Sequence, residues 1–97
     1  MQRALTGVNV LASDPRVNES IAAVGYCFGG RTALELARSG TDLAGVISVH
    51  GSLETANPAR PGEVRAKILV CHGAIDPHVP TKQMTGFIEE MNTARAD

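Results

Sequence analysis

The sequence predicts an α/β domain in which three parallel strands alternate with helices. Short, nearly all-apolar runs recur at residues 21–26, 43–49 and 68–71. Between and around them lie segments with helical spacing, and Gly and Pro clusters punctuate the boundaries. Strands that alternate with helices imply a parallel sheet with right-handed crossovers.

Residues 2–12 place Leu5, Val8, Leu11 and Ala12 on one helical face, with Gly7 as a weak point. Asp14-Pro15 supplies the stop and turn. The run 21–26 is nearly all apolar, as expected of a parallel strand covered on both faces. The segment 29–39 carries Ala33, Leu34, Leu36 and Ala37, ends in Arg38, and meets Gly40 where a left-handed helix stop belongs. The apolar pattern returns at 43–49 and 68–71, each run followed by a His-Gly pair. Residues 52–65 contain Asn57-Pro58 and Arg60-Pro61-Gly62 and read as loop or short helix. Thr81 is placed to cap a last helix whose Met84, Phe87, Ile88 and Met91 form one stripe.

The chain's 97 residues make one domain with one core. Three strands are half of a doubly wound sheet, which needs cover on both faces and neighbours at its edges. There is no internal repeat. Ten acidic against nine basic side chains leave a formal charge of −1, without the basic field of a nucleic-acid binder. With Tyr26, Phe28 and Phe87 as the only aromatics, stacking platforms for bases are missing as well. No apolar stretch is long enough to cross a bilayer, and the N-terminal residues lack the apolar run of a signal peptide, so the cytoplasm is the default location. Cys27 and Cys71 show no zinc-type spacing, and the histidines offer no ligand set, so neither metal nor cofactor is expected.

The sharpest feature is Gly25-Tyr26-Cys27-Phe28-Gly29-Gly30, at a strand-to-helix junction. It has the form of a nucleophile elbow, where a sharp turn holds the nucleophile in a strained conformation and flanking glycines avoid collision. The helix N-terminus places unpaired N–H groups and the positive dipole end beside the sulfur, favouring negative charge there. Phe28 N–H is then available to an oxyanion, with Tyr26 and His50 beside the site. The plainer reading of Cys27 is a small buried apolar residue. A third reading starts from residues 25–32, which fit a phosphate-binding loop except that Arg31 replaces lysine. A guanidinium copies that compact charge poorly, and strand 43–49 lacks the terminal Asp that holds magnesium.

Asp76, a few residues beyond the third strand, is the candidate acid, because the order nucleophile, acid, histidine places it there. Its competing role is that of a turn aspartate before Pro77. His50, His72 and His78 all precede the last helix, whereas that order puts the base after it. Cys71 lies within a strand and reads as core. With one strand between them, Cys27 and Cys71 should stand about 10 Å apart, beyond disulfide reach.

These residues resemble the dienelactone hydrolase family of α/β-hydrolases. Residues 25–30 are similar to its cysteine elbow, 34–40 to the helix that follows, 49–53 to the segment after the next strand, and 72–77 to its acid loop. The likeness runs from about Asp14 to the end. It implies a partial α/β-hydrolase domain spanning 1–97, a C-terminal-side portion without the N-terminal strands or the histidine loop. It also implies Cys27 as nucleophile, Asp76 as triad acid, and hydrolysis of small lactones or esters through a cysteinyl acyl intermediate. The alternative is a noncatalytic α/β module whose exposed sheet binds another chain or a second copy.

Overall fold

A computed structural model describes all residues from Met1 to Asp97. The elements follow the order α1 (Gln2–Ala12), β1 (Ala22–Tyr26), α2 (Phe28–Arg38), β2 (Gly45–Val49), β3 (Lys67–Cys71) and α3 (Thr81–Ala94). The strands form one parallel sheet in the order β1-β2-β3, with Tyr26 level with Val49 and Val49 level with Cys71. No helix is long and apolar enough to cross a membrane.

Because the strand order steps the same way twice, the right-handed connections stay on one side of the sheet. Ala23, Gly25, Val46, Ser48, Ile68 and Val70 face that side, and all are buried or half-buried. Of these, Ala23, Val46, Ile68 and Val70 pack with Ala33, Leu34, Leu36 and Ala37 of α2 and with Phe87, Met91 and Ala94 of α3 in a single apolar cluster. α1 reaches the cluster only through half-buried Ala4, Leu5 and Val8. None of its residues is fully buried.

The opposite face is bare, which corrects the expectation of strands covered on both sides. Val24, Tyr26 and Leu69 are 59%, 65% and 55% exposed, and Ile47 is exposed beside them. Cys71 points the same way and is exposed rather than core. The all-apolar runs have the composition of two-sided burial, but only the helix side is filled here.

Arg38 holds the helical layer together. Its side chain is buried, pairs with Glu35 Oε1 and both carboxylate oxygens of Glu90 at 2.9 Å, and donates to Leu53 O at 2.7 Å. Its guanidinium lies 5.6 Å from the Phe87 ring centre. Glu90 also accepts Ala59 N–H at 2.8 Å, so α2, α3 and the 52–59 loop meet in one satisfied network.

Two helix boundaries refine the sequence reading. Gly40 adopts φ 78° and ends α2 as expected, with its N–H on Ala37 O at 3.1 Å. Thr81 is not the cap of α3: Pro80 holds that position, extended and without a side-chain cap, and Thr81 begins the helix proper. Proline just ahead of the first turn costs no intrahelical bond.

Candidate active site

The site is built where three strands end side by side. Cys27, His50 and His72 follow directly from the last residues of β1, β2 and β3, so the chain exits from the sheet in a row. Such C-terminal edges are where open α/β sheets carry their sites.

Cys27 has φ 56° and ψ −118°, a combination that L residues rarely adopt, and it is exposed. Its N–H donates to Val49 O at 2.9 Å, while its carbonyl accepts Gly30 N–H at 3.0 Å and Arg31 N–H at 3.3 Å. The residue is thus clamped to β2 on one side and to the first turn of α2 on the other. A conformation of this kind costs on the order of 1–3 kcal/mol and persists only where its surroundings impose it.

Those surroundings are glycines. A Cβ on Gly25 would collide with the carbonyl of Gly29 and stand 2.6 Å from Gly30 N. On Gly30 it would meet Ser48 Oγ at 2.6 Å and Gly51 Cα at 3.2 Å. On Gly51 it would lie 2.8 Å from Arg31 N, 2.8 Å from Ser48 Oγ and 2.9 Å from Gly30 C. Three backbone segments therefore close on one another under the elbow, around a Ser48 hydroxyl that is buried without a partner. Gly29 differs from the expectation: nothing lies within 4 Å of its added Cβ, so the steric demand falls on Gly25, Gly30 and Gly51. The sequence marks Gly51 only as half of a His-Gly pair, a signal too weak to separate it from Gly73, where a Cβ meets open space.

Among the remaining site candidates, Phe28 is 77% exposed at the first position of α2, whose leading N–H groups have no intrahelical acceptor. Tyr26 projects onto the bare sheet face. His50 is exposed, adopts φ 43°, and donates its N–H to Cys71 O at 2.8 Å. Cys27 and His50 are thus left-handed residues at neighbouring strand ends.

Asp76 is half-buried in the loop after β3. Its Oδ1 accepts His78 N–H at 2.8 Å, its own N–H donates to Gly73 O at 3.1 Å, and its carbonyl accepts Val79 N–H at 3.3 Å. The turn role anticipated for an Asp-Pro pair is present, and the second carboxylate oxygen is left outside that turn. His72 carries a buried Nδ1 without a partner, and His78 is exposed. Both cysteines are free thiols, and no cluster of His, Cys, Asp and Glu is arranged to hold a metal ion.

This geometry has close counterparts. The solved structure of m3DLH superimposes with a TM-score of 0.89 and 40% identity, over 97% of this chain and 40% of that one. The dienelactone hydrolase-like promiscuous phosphotriesterase P91 from metagenomic libraries matches with a TM-score of 0.86 and 37% identity, over 98% of this chain and 40% of its own. An uncharacterized Caenorhabditis elegans protein, K02A2.1, is 36% identical over 98% of the chain, which spans 62% of that relative's length. The fold is that of these hydrolase-type neighbours, three parallel strands with three helices. A dienelactone hydrolase family model matches residues 1–97, the whole of the chain, and the chain belongs to that family.

Proposed function

We propose that the chain carries the nucleophile and the acid of a carboxylic ester or lactone hydrolase. One observation carries this reading: an exposed Cys27 is held in a left-handed conformation between β1 and α2 by glycines that tolerate no side chain. A structural cysteine gains nothing from such strain. The thiolate attacks the carbonyl carbon, and Phe28 N–H stabilises the oxyanion of the tetrahedral intermediate. Collapse of the intermediate breaks the ester C–O bond, expels an alkoxide that takes up a proton, and leaves a thioester on Cys27. Attack by water then releases the carboxylate and restores the thiolate.

Asp76 serves as the triad acid through the carboxylate oxygen that its turn does not use. The base is assigned to none of His50, His72 and His78. The chain alone should therefore acylate and then turn over feebly, since deacylation needs a base to activate water. Phosphotriesters are a second substrate class, supported by the description of P91, because the same sulfur can attack a phosphorus centre. The test is incubation with p-nitrophenyl acetate followed by peptide mass mapping. A stoichiometric release of nitrophenol with the acetyl group on Cys27, abolished in Cys27→Ala, is expected. Acetyl groups spread equally over Cys27 and Cys71 would refute the assignment.

A further inference from the structure

A cleft of about 680 Å³ opens between the first turn of α2, the 52–58 loop and the first half of α3. It lies on the helix side of the sheet, beside the exit of the central strand, and neither sheet edge contributes to it. Cys27, His50 and Asp76 are not in its walls, so the hydrolase reading leaves it without a role. Its volume falls within the roughly 300–1,000 Å³ typical of small-molecule sites.

The walls present donors without partners. Arg16, Arg38, Arg60, Arg65 and Lys67 are each paired with a carboxylate, whereas Arg31 and Lys82 are in no ion pair and both line this cleft. Gln83 Oε1 accepts Leu53 N–H at 3.2 Å and the Ser52 hydroxyl at 3.4 Å, which fixes the carboxamide and leaves its NH2 without a protein acceptor. Of the two carboxylates in the wall, Glu90 is already engaged by Arg38 and by Ala59 N–H, and Glu54 alone is free. Arg31 and Lys82 against Glu54 leave an excess of positive charge. The first turn of α3, beginning at Thr81, adds the positive end of its dipole.

An independent sign of a ligand is Gly86. Glycine inside a helix is unfavourable relative to alanine, and nothing lies within 4 Å of a Cβ added here, so no neighbour in the chain requires it. Its effect is to flatten the α3 wall and bring main chain to the surface of the cleft, as happens where a ligand lies close against the backbone. Pro58, Pro80 and Phe87 supply apolar surface in the same walls.

We infer that this cleft binds a small organic carboxylate with a flat apolar body. Arg31 and Lys82 hold the carboxylate, the Gln83 NH2 donates to it, and the body lies against Gly86. Arg31 N–H also donates to Cys27 O at 3.3 Å, so the cleft and the elbow share the first turn of α2 while their ligand contacts stay separate.

The probe is benzoate, titrated into the isotopically labelled full chain at low ionic strength and followed by NMR. Saturable shifts are expected at the Gln83 side-chain NH2, Arg31 Nε–H and Gly86 N–H. Arg31→Gln and Lys82→Gln should each weaken binding about fivefold, the effect of one partly exposed ion pair. Arg95→Gln, which removes a cation outside the cleft, should leave it unchanged. Gly86→Leu places a side chain in open space on a helix that favours it, so the chain stays folded while the cleft is filled and binding is lost. Cys27→Ala should bind benzoate as the parent does, which separates this site from the reaction at the elbow. Absence of saturable shifts, equal weakening by Arg31→Gln and Arg95→Gln, binding retained in Gly86→Leu, or binding lost in Cys27→Ala overturns the proposal. So does inorganic phosphate binding as tightly as benzoate, since charge alone would then be recognised.

Discussion

Two His-Gly pairs leave this sheet from adjacent strands, and they sit in opposite environments. At His50-Gly51, after β2, the backbone is pressed against the first turn of α2 so closely that any Cβ would fall within 3 Å of three atoms. At His72-Gly73, after β3, the added atom meets nothing, and two residues later Ile75 is 95% exposed. The Cys27 end is therefore closed by contacts internal to the chain. The Asp76 end is a set of local turn bonds, with open space at Gly73. Strain at Cys27 is sustained because β1, β2 and α2 over-determine it, while Asp76 is fixed only by its own turn.

The largest expected effect comes from filling the closed end. Gly25→Ala drives a methyl group into the Gly29 carbonyl and should abolish the cooperative thermal transition or lower its midpoint by well over ten degrees, given about 4–8 °C per kcal/mol for a domain of this size. Arg38→Ala should follow. It leaves half-buried Glu90 without its cationic partner, and chemical denaturation should show a loss of about 3 kcal/mol, the lower end for a broken buried pair.

A smaller but more discriminating comparison is Gly51→Ala against Gly73→Ala. The first should cost about 1–3 kcal/mol as an overpacked site, and the second should stay within about 0.5 kcal/mol of the parent. Equal costs would erase the distinction between the two strand exits. Asp76→Ala should cost about 1 kcal/mol, the worth of one turn hydrogen bond to His78 N–H, and leave Cys27 labelling unchanged.

Much of this architecture is legible in the sequence because its signals are local. The apolar runs place all three strands, Gly40 ends α2, and the spacing of Phe87 and Met91 identifies the inner face of α3. The Gly25-to-Gly30 segment announces the elbow because a strained turn needs small flanks at fixed offsets. Other features are invisible for physical reasons. An all-apolar strand has the same composition whether one face or both are covered, so the exposure of Val24, Leu69 and Cys71 has no local signature. Arg38 looks like an ordinary helix-end charge, because Glu90, which makes it a hub, lies 52 residues away. Gly51 and Gly73 sit in identical dipeptides, and only the approach of α2 tells them apart.

Both thiols are solvent-accessible, so accessibility alone would let them react alike. Alkylation by iodoacetamide at neutral pH, resolved by cysteine, measures whether the elbow activates its sulfur. The account predicts that Cys27 is modified about tenfold or more faster than Cys71, and that Gly51→Ala erodes this ratio. Equal rates in the folded parent chain would contradict it.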